Sequence, residues 1–110
     1  EEARDWGAEC IIHCGDVISA YTLRTVVHFG VPIHSIHGNN IGDIPVLVEM
    51  SRDPANKVSY YGMDATLELG GRRIFVVHYP HYAEGMVLTG DYDLVCCGHD
   101  HILNLKQVTN

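Results

Sequence analysis

Four apolar runs in this sequence are each followed by a residue whose side chain can bind a metal ion. "CIIHCG" runs into an aspartate, "IHSIHG" into two asparagines, "IFVV" into a histidine, and "LVCCG" into a His-Asp-His triplet. In open α/β sheets, the residues that follow the carboxyl ends of the strands gather at one edge. The sequence therefore predicts a site that collects five side chains: Asp16, Asn39, His78, His99 and His101.

Helical and strand-like segments alternate along the chain, which predicts an α/β domain with right-handed crossovers. Short apolar runs with little alternation are typical of strands buried on both faces, and they include "ECIIHCG", "VPIHSIHG" and "YDLVCCG". "DATLELGGRRIFVVHYP" predicts a β-hairpin that turns at Gly70–Gly71, and "ILNLKQV" predicts a final strand. Helices are predicted in "SAYTLRTVVHFG" and "YAEGMVLTG", with a helix end in "EEARDWG" and a short helix or turn in "IPVLVEM".

Length, charge and cysteine usage limit the classes of protein to which this chain can belong. With 110 residues it is expected to form a single domain over 1–110. Its formal net charge of -7 argues against nucleic-acid binding, which requires a basic surface. No apolar stretch reaches the length that spans a bilayer, and no signal peptide is visible. Its four cysteines are Cys10, Cys14, Cys96 and Cys97, and all lie in apolar runs. This is expected of buried reduced thiols in a cytoplasmic protein.

Each candidate ligand also has a purely structural interpretation when it is taken alone. Asp16 could be a turn residue or a helix cap, Asn39 could occupy a left-handed turn position, and His78 could be a hydrogen-bonded core histidine. His99 and His101 share a face on an extended chain, where a solvated pair is equally plausible. The joint pattern favours a site, because oxygen and imidazole donors suit a first-row divalent metal. The four histidines among the first 40 residues are predicted to be structural: His13, His28, His34 and His37.

The ordered segments "IIHCGDV", "HGNN", "VVHYPH" and "CCGHDH" resemble those of the calcineurin-like metallophosphoesterases. The small bacterial and archaeal phosphodiesterase branch is the most similar, with segments that read GD, GN, H and GH-x-H. This resemblance implies two β-sheets flanked by helices, an α-β-β-α sandwich. It also implies a site for two divalent ions, which could be manganese, zinc, iron or nickel.

The resemblance also implies a role for each candidate residue. Asp16 matches the carboxylate that bridges both metals, while Asn39, His78 and His99 match ligands of the second metal. His101 matches a ligand of the first metal. The implied reaction is hydrolysis of a small-molecule phosphoester by a hydroxide held between the two metals, with Asp16, Asn39 and His78 as catalytic residues.

The sequence departs from the family pattern at several positions. No Asp-x-His precedes "IIHCGDV", so two ligands of the first metal are missing and the domain is expected to be incomplete at both ends. Asn40 stands where many members have a histidine that donates a proton, and Tyr-Pro stands between His78 and His81 where relatives commonly have one glycine. Asn40 and His81 are candidate substrate contacts.

These departures lead to expectations about the activity and assembly of the chain. It should bind about one divalent ion instead of two, and its phosphodiesterase activity should be impaired. Strand edges left without a neighbour could pair with a second copy, giving a homo-oligomer. The alternative function is a metal-binding or non-catalytic interaction scaffold on the same fold.

Overall fold

The computed structural model describes residues 5–17, 20–40 and 42–108, and within these ranges it forms two three-stranded sheets with helices on their outer faces. No helix in the described ranges is long and apolar enough to cross a membrane. Chain order places one complete sheet before the other, so the N-terminal half and the C-terminal half each contribute one layer of the sandwich.

The first sheet is entirely parallel. Its strands are β1 (Ile11–His13), β2 (Ile33–Ser35) and β3 (Val58–Tyr60), and β2 lies between the other two. Because all three strands run the same way, their carboxyl ends lie at one edge of the sheet. β1 is an edge strand, paired on one side only among the described residues.

Helices α1 (Ala20–Val27) and α2 (Asp43–Arg52) make the crossovers between these strands. Gly30, with φ of 76°, follows α1 and donates its N–H to the carbonyl of Val27 at 3.0 Å, which closes the helix end. The outer face of the sheet and the inner faces of the helices share one apolar core: Val17, Leu23, Ile33, Leu47, Met50 and Val58.

The second sheet is mixed. β4 (Asp64–Leu69) and β5 (Arg72–Val77) form the predicted hairpin, with Gly70 and Gly71 at φ of 58° and 73° in its turn. The third strand, β6 (Leu94–Cys96), runs parallel to β5 and forms the other edge of this sheet. Helix α3 (Pro80–Val87) connects β5 to β6.

Two further cores hold the layers together. Side chains alternate across a strand, so Ile11 packs toward the helices while Ile12 faces the second sheet. Between the sheets lie Ile36, Ala65, Leu67, Ile74 and Val76, and Ala83 of α3 packs on Phe75 and Val77 of β5. The order of layers is therefore helices, sheet, sheet, helix, and the predicted α-β-β-α sandwich is confirmed.

Two sequence-based assignments differ from the structure: the final strand expected after β6, and β3, which the sequence did not indicate. "ILNLKQV" forms no strand: residues 101–108 have no regular structure and are exposed, with Leu103 at 100% and Leu105 at 93%. Conversely, β3 was not predicted, because three residues followed by Tyr-Gly are too short to show alternation. The predicted helix end in "EEARDWG" lies mostly outside the described residues, although Gly7 has the φ of 85° expected of a helix stop.

Candidate functional site

The predicted ligands lie where the fold brings strand ends from both sheets together. Asp16 follows β1 by three residues, and Asn39 follows β2 by four. His78 follows β5 directly, and His99 follows β6 by three residues. Since β1 and β2 are parallel and β5 and β6 are parallel, each sheet delivers two side chains at its carboxyl edge.

The Nε2 atom of His78 is the centre of this group. It lies 2.8 Å from Oδ1 of Asn39, 3.1 Å from Nδ1 of His99 and 3.3 Å from Oδ2 of Asp16. Nδ1 of His99 and Oδ1 of Asn39 are also 3.1 Å apart. We call these four side chains the donor cluster; the structure brings all of them together, as their positions at strand ends predict.

A backbone carbonyl sets the protonation of His78, whose side chain is buried. Nδ1 of His78 lies 2.8 Å from the carbonyl oxygen of Cys14, and because that oxygen can only accept, Nδ1–H must donate to it. In the neutral ring Nε2 then carries a lone pair, and this lone pair faces the oxygens of Asn39 and Asp16, which also accept. A cation placed among these atoms removes the repulsion between them.

The donor cluster has the chemistry and the spacing of a metal coordination shell. Ligand bonds of about 2.0–2.2 Å place neighbouring donor atoms about 2.8–3.6 Å apart, and the separations in the cluster lie between 2.8 and 3.3 Å. Counting only histidine, cysteine, aspartate and glutamate, no group of three or more in the described part of the chain is arranged to hold a metal ion. Asp16, His78 and His99 alone therefore do not meet the geometry of a metal site, and the amide oxygen of Asn39 adds a fourth donor atom beside them.

Two glycines allow the strand ends of the first sheet to approach His78. A Cβ on Gly15 would lie 2.7 Å from the amide nitrogen of Gly38 and 2.8 Å from Nδ1 of His78. A Cβ on Gly38 would overlap Oδ1 of Asp16 and lie 2.8 Å from Cε1 of His78. Neither position has room for a side chain, so the glycines before Asp16 and Asn39 are a requirement of the donor cluster.

Backbone strain is concentrated at the same place. Asp16, His99 and His101 have φ of 64°, 71° and 57°, and the one other non-glycine residue with positive φ in the described ranges is Lys57. Such conformations cost about 1–2 kcal/mol each for residues with a side chain. Strain of this kind persists where the surrounding structure over-determines it, and it is characteristic of functional sites.

His101 lies on the wall of a cavity beside the donor cluster. The cavity has a volume of about 350 Å³. His101 makes no hydrogen bond to the donor cluster among the described contacts, unlike His99. The residues that line the cavity come from the ends of β1, β5 and β6 and from the segment after β6: Cys14, Gly15, Asp16, His78, Gly98, His99, Asp100, His101, Ile102 and Leu103.

The two candidate substrate contacts occupy different positions. The backbone N–H of Asn40 donates to Oδ1 of Asp16 at 3.2 Å, while its own Oδ1 accepts from the N–H of Gly42 at 3.1 Å. Asn40 therefore supports the carboxylate through its main chain and stabilises the local turn through its side chain. His81 lies in the first turn of α3, is exposed, and is not one of the residues that line the cavity.

Other histidines have local partners. Nδ1 of His13 accepts from the N–H of Gly15 at 3.2 Å, and the rings of His34 and His37 share hydrogen bonds of 2.7 and 2.6 Å with the hydroxyls of Tyr61 and Tyr60. These contacts fit the structural role predicted for them.

Sequence reasoning missed the contribution of Cys14. It had been assigned to the core as a thiol, yet its carbonyl orients His78. Burial raises the pKa of the Cys14 thiol to about 12, so the sulfur stays protonated at neutral pH. Main-chain groups leave no trace in residue identity, and only the position of Cys14 one residue before Gly15 could have indicated this role.

Comparison with known proteins agrees with this geometry. A sequence profile of the calcineurin-like phosphoesterase superfamily domain matches residues 1–110. A phosphodiesterase of Methanocaldococcus jannaschii is 29% identical over 106 residues, which are 94% of this chain and 63% of the relative. A solved structure, described as a novel archaeal phosphodiesterase, superposes with a TM-score of 0.83 at 26% identity and covers 97% of this chain.

The chain spans 63% and 66% of the lengths of these two proteins, just under two thirds in each case. The sequence profile, in contrast, extends over the whole chain. The resemblance predicted from the four ordered motifs is thus confirmed, and the chain belongs to the calcineurin-like phosphoesterase superfamily.

Proposed function

We propose that this chain is a divalent-metal-dependent phosphodiesterase that acts on a small-molecule phosphoester, with reduced activity in the form described here. The observation that carries the proposal is the convergence of lone pairs at Nε2 of His78, where the oxygens of Asp16 and Asn39 lie within 3.3 Å. A site of this composition is built for a cation. The phosphodiesterases to which the chain is similar support the class of reaction.

The residues of the chain would divide the work as follows. Asp16, Asn39, His78 and His99 hold one divalent ion, which could be manganese, zinc, iron or nickel. When bound, such an ion polarises phosphoryl oxygens and lowers the pKa of coordinated water. The Cys14 carbonyl keeps the His78 proton on Nδ1 and thereby keeps Nε2 free as a ligand.

A second ion would have fewer ligands in this chain. Asp16 can share its carboxylate between two positions, and His101 lies on the wall of the same cavity. These two side chains leave most of a coordination shell to water, so a second ion would bind weakly. A two-metal clamp stabilises both the attacking and the leaving oxygen, and a chain that holds about one ion is expected to turn over slowly.

The setting of the reaction follows from the thiols and from the sheet edges. Cys10, Cys14, Cys96 and Cys97 are all free, which supports a reducing, cytoplasmic compartment. β1 and β3 are the edge strands of the first sheet, β4 and β6 are those of the second, and open edges favour pairing with a strand of another molecule. We therefore propose that a second copy pairs with one of these edges, and sedimentation velocity should then show a dimer.

Hydrolysis of bis-p-nitrophenyl phosphate with added manganese tests the proposed activity. We expect slow, manganese-dependent release of nitrophenol that falls at least about a hundredfold in Asp16→Asn, a loss of about 2.7 kcal/mol of transition-state stabilisation. Asp100→Asn is the matched control. Asp100 lines the same cavity, but its Oδ1 accepts from the N–H of Ile102 at 3.3 Å and it takes no part in the donor cluster.

The control should retain activity within about threefold, because the asparagine oxygen can still accept from the N–H of Ile102 and the lost charge lies outside the donor cluster. If the wild-type chain binds metal yet hydrolyses no phosphoester in the presence of manganese, the non-catalytic scaffold is the better account.

A further inference from the structure

Tyr79 is an aromatic side chain at the donor cluster that none of the proposed metal chemistry uses. It follows His78 and precedes Pro80, the first residue of α3. Its ring centroid lies 5.1 Å from that of His78 and 5.1 Å from that of His99, with interplanar angles of 80° and 59°. Tyr79 does not itself line the cavity, but it is 38% exposed, so aromatic surface stands in solvent beside two histidines that do line it.

The position of Tyr79 is fixed by its neighbours. Pro80 restricts the conformation of the residue before it to the extended region, and Tyr79 has φ of -90° and ψ of 126° there. Its carbonyl accepts the N–H of Ala83 at 3.0 Å, which ties it to the first turn of α3. A ring held in this way loses little conformational freedom on binding a ligand, which is the property of a preformed contact surface.

The charges around the cavity limit the ligand. Its lining contains no lysine or arginine among the described residues, whereas Asp16 and Asp100 are both present. These two carboxylates balance the charge of a single divalent ion, so a phosphomonoester with up to two negative charges would find no further cationic group in the lining. A phosphodiester carries one, so the lining favours a diester with uncharged ester groups.

Part of the cavity wall is apolar. Ile102 and Leu103 line it and are 69% and 100% exposed, opposite in character to the polar donor cluster. Binding sites for small molecules commonly combine an apolar wall with a few polar groups that fix orientation. Ester groups with apolar surface therefore match the space around the cluster better than sugars or further phosphates.

From these observations we infer that Tyr79 is a specificity-determining residue, whose ring stacks on a planar aromatic group of a phosphodiester bound at the donor cluster. The inference rests on the proposed function for the position of the phosphate. Offset or edge-to-face contacts between aromatic rings stabilise a complex beyond the area that they bury. A ligand with aromatic ester groups should thus bind more tightly than one with small alkyl groups.

The test measures binding and does not require turnover. Diphenyl phosphate and dimethyl phosphate, two diesters of equal charge, are titrated into the zinc-loaded chain and followed by NMR. The wild-type chain should prefer diphenyl phosphate, and Tyr79→Leu should reduce that preference about tenfold, the range expected for one aromatic contact. Tyr79→Phe should keep the preference within about twofold, because the ring remains.

Tyr61→Leu is the matched control. Tyr61 is an equally exposed tyrosine, at 41%, whose ring stacks on His34 outside the cavity. Its replacement should leave the preference for diphenyl phosphate unchanged. A purely structural Tyr79, which only packs against His99, would instead make Tyr79→Leu weaken both diesters equally, and that result would overturn the inference.

Failure of the wild-type chain to prefer diphenyl phosphate, including failure to bind either diester, would also overturn it. The outcome is separable from that of the proposed function. Hydrolysis of a phosphodiester without an aromatic preference contradicts the role of Tyr79 alone, whereas an aromatic preference without metal-dependent hydrolysis of any phosphoester contradicts the proposed enzyme.

Discussion

The two histidines of the His-Asp-His triplet lie two residues apart, and both are exposed and line the same cavity, but they have different partners. His99 lies in the donor cluster, where its Nδ1 is 3.1 Å from both Nε2 of His78 and Oδ1 of Asn39. His101 has the same type of backbone, with φ of 57° against 71° for His99, but it begins an exposed segment without regular structure. The structure therefore gives the two histidines of the motif different partners: His99 faces His78 and Asn39, while His101 lies on the cavity wall, and its predicted role as a ligand stays a prediction.

The difference comes from what supports each residue. His99 follows β6, and β6 is parallel to β5, which places His78 directly beside it. His78 in turn is fixed from the other sheet by the carbonyl of Cys14 at 2.8 Å. Residues 101–108 pair with no strand in the described part of the chain. We call His78, His99 and the strand ends that hold them the supported half of the site. Substitutions there should change stability and metal affinity more than substitution of His101.

The largest effect should be the loss of stability in Gly15→Ala, a substitution in the supported half of the site. The new Cβ would lie 2.7 Å from the Gly38 amide at a φ of 103°, so overpacking and backbone strain add. We expect a loss of about 3 kcal/mol or more in the free energy of unfolding, measured with urea. Gly62→Ala, at φ of 94° with open space around it, isolates the strain and should cost about 1 kcal/mol. Equal losses of unfolding free energy in the two variants would mean that Gly15 does not pack closely against Gly38 and His78.

A direct comparison of His99→Ala and His101→Ala should give the next largest difference. Loss of His99 removes one of four donors, so metal affinity measured by calorimetry should fall at least about a hundredfold. Loss of His101 should change it by less than about threefold, because His101 makes no hydrogen bond to the donor cluster among the described contacts. Similar losses in the two variants would show that His101 joins the cluster when metal is bound.

Cys14→Ala should have the smallest effect and separates the carbonyl from the thiol. The described contact of Cys14 with the donor cluster is through its carbonyl, which accepts from Nδ1–H of His78, while burial raises the pKa of its thiol to about 12. The variant keeps the carbonyl that orients His78, and metal affinity should stay within about twofold. A cost of about 1 kcal/mol in stability is expected from the small cavity. A hundredfold loss of affinity would instead identify the sulfur as a ligand.

Much of the fold was predictable because local patterns and tertiary structure agree. The hairpin has alternating arms and Gly70–Gly71 at its turn, and the structure pairs Asp64 with Val77 and Leu69 with Arg72 as that turn dictates. The apolar runs before Asp16 and His99 became β1 and β6. The superfamily followed from four motifs in order, each of which alone carries little information.

The remaining features depend on contacts that residue types do not encode. "ILNLKQV" alternates like a strand, but alternation does not supply a neighbouring edge, and Leu103 and Leu105 are exposed. β3 is three residues long and is formed by pairing with β2. The carbonyl of Cys14 and the close approach of Gly15 to Gly38 are main-chain features, which appear only when strand ends are placed in space.

The central claim is that the donor cluster, and not the whole motif set, holds the divalent ion. Metal content per chain, measured by mass spectrometry after equilibrium dialysis against manganese or zinc, tests it most directly. We expect about one ion per wild-type chain and almost none in His78→Ala. His34→Ala is the control, because His34 is hydrogen-bonded to Tyr61 and lies outside the donor cluster, and it should also bind about one ion. No bound ion in the wild-type chain, or one ion retained by a folded His78→Ala variant, would contradict the account.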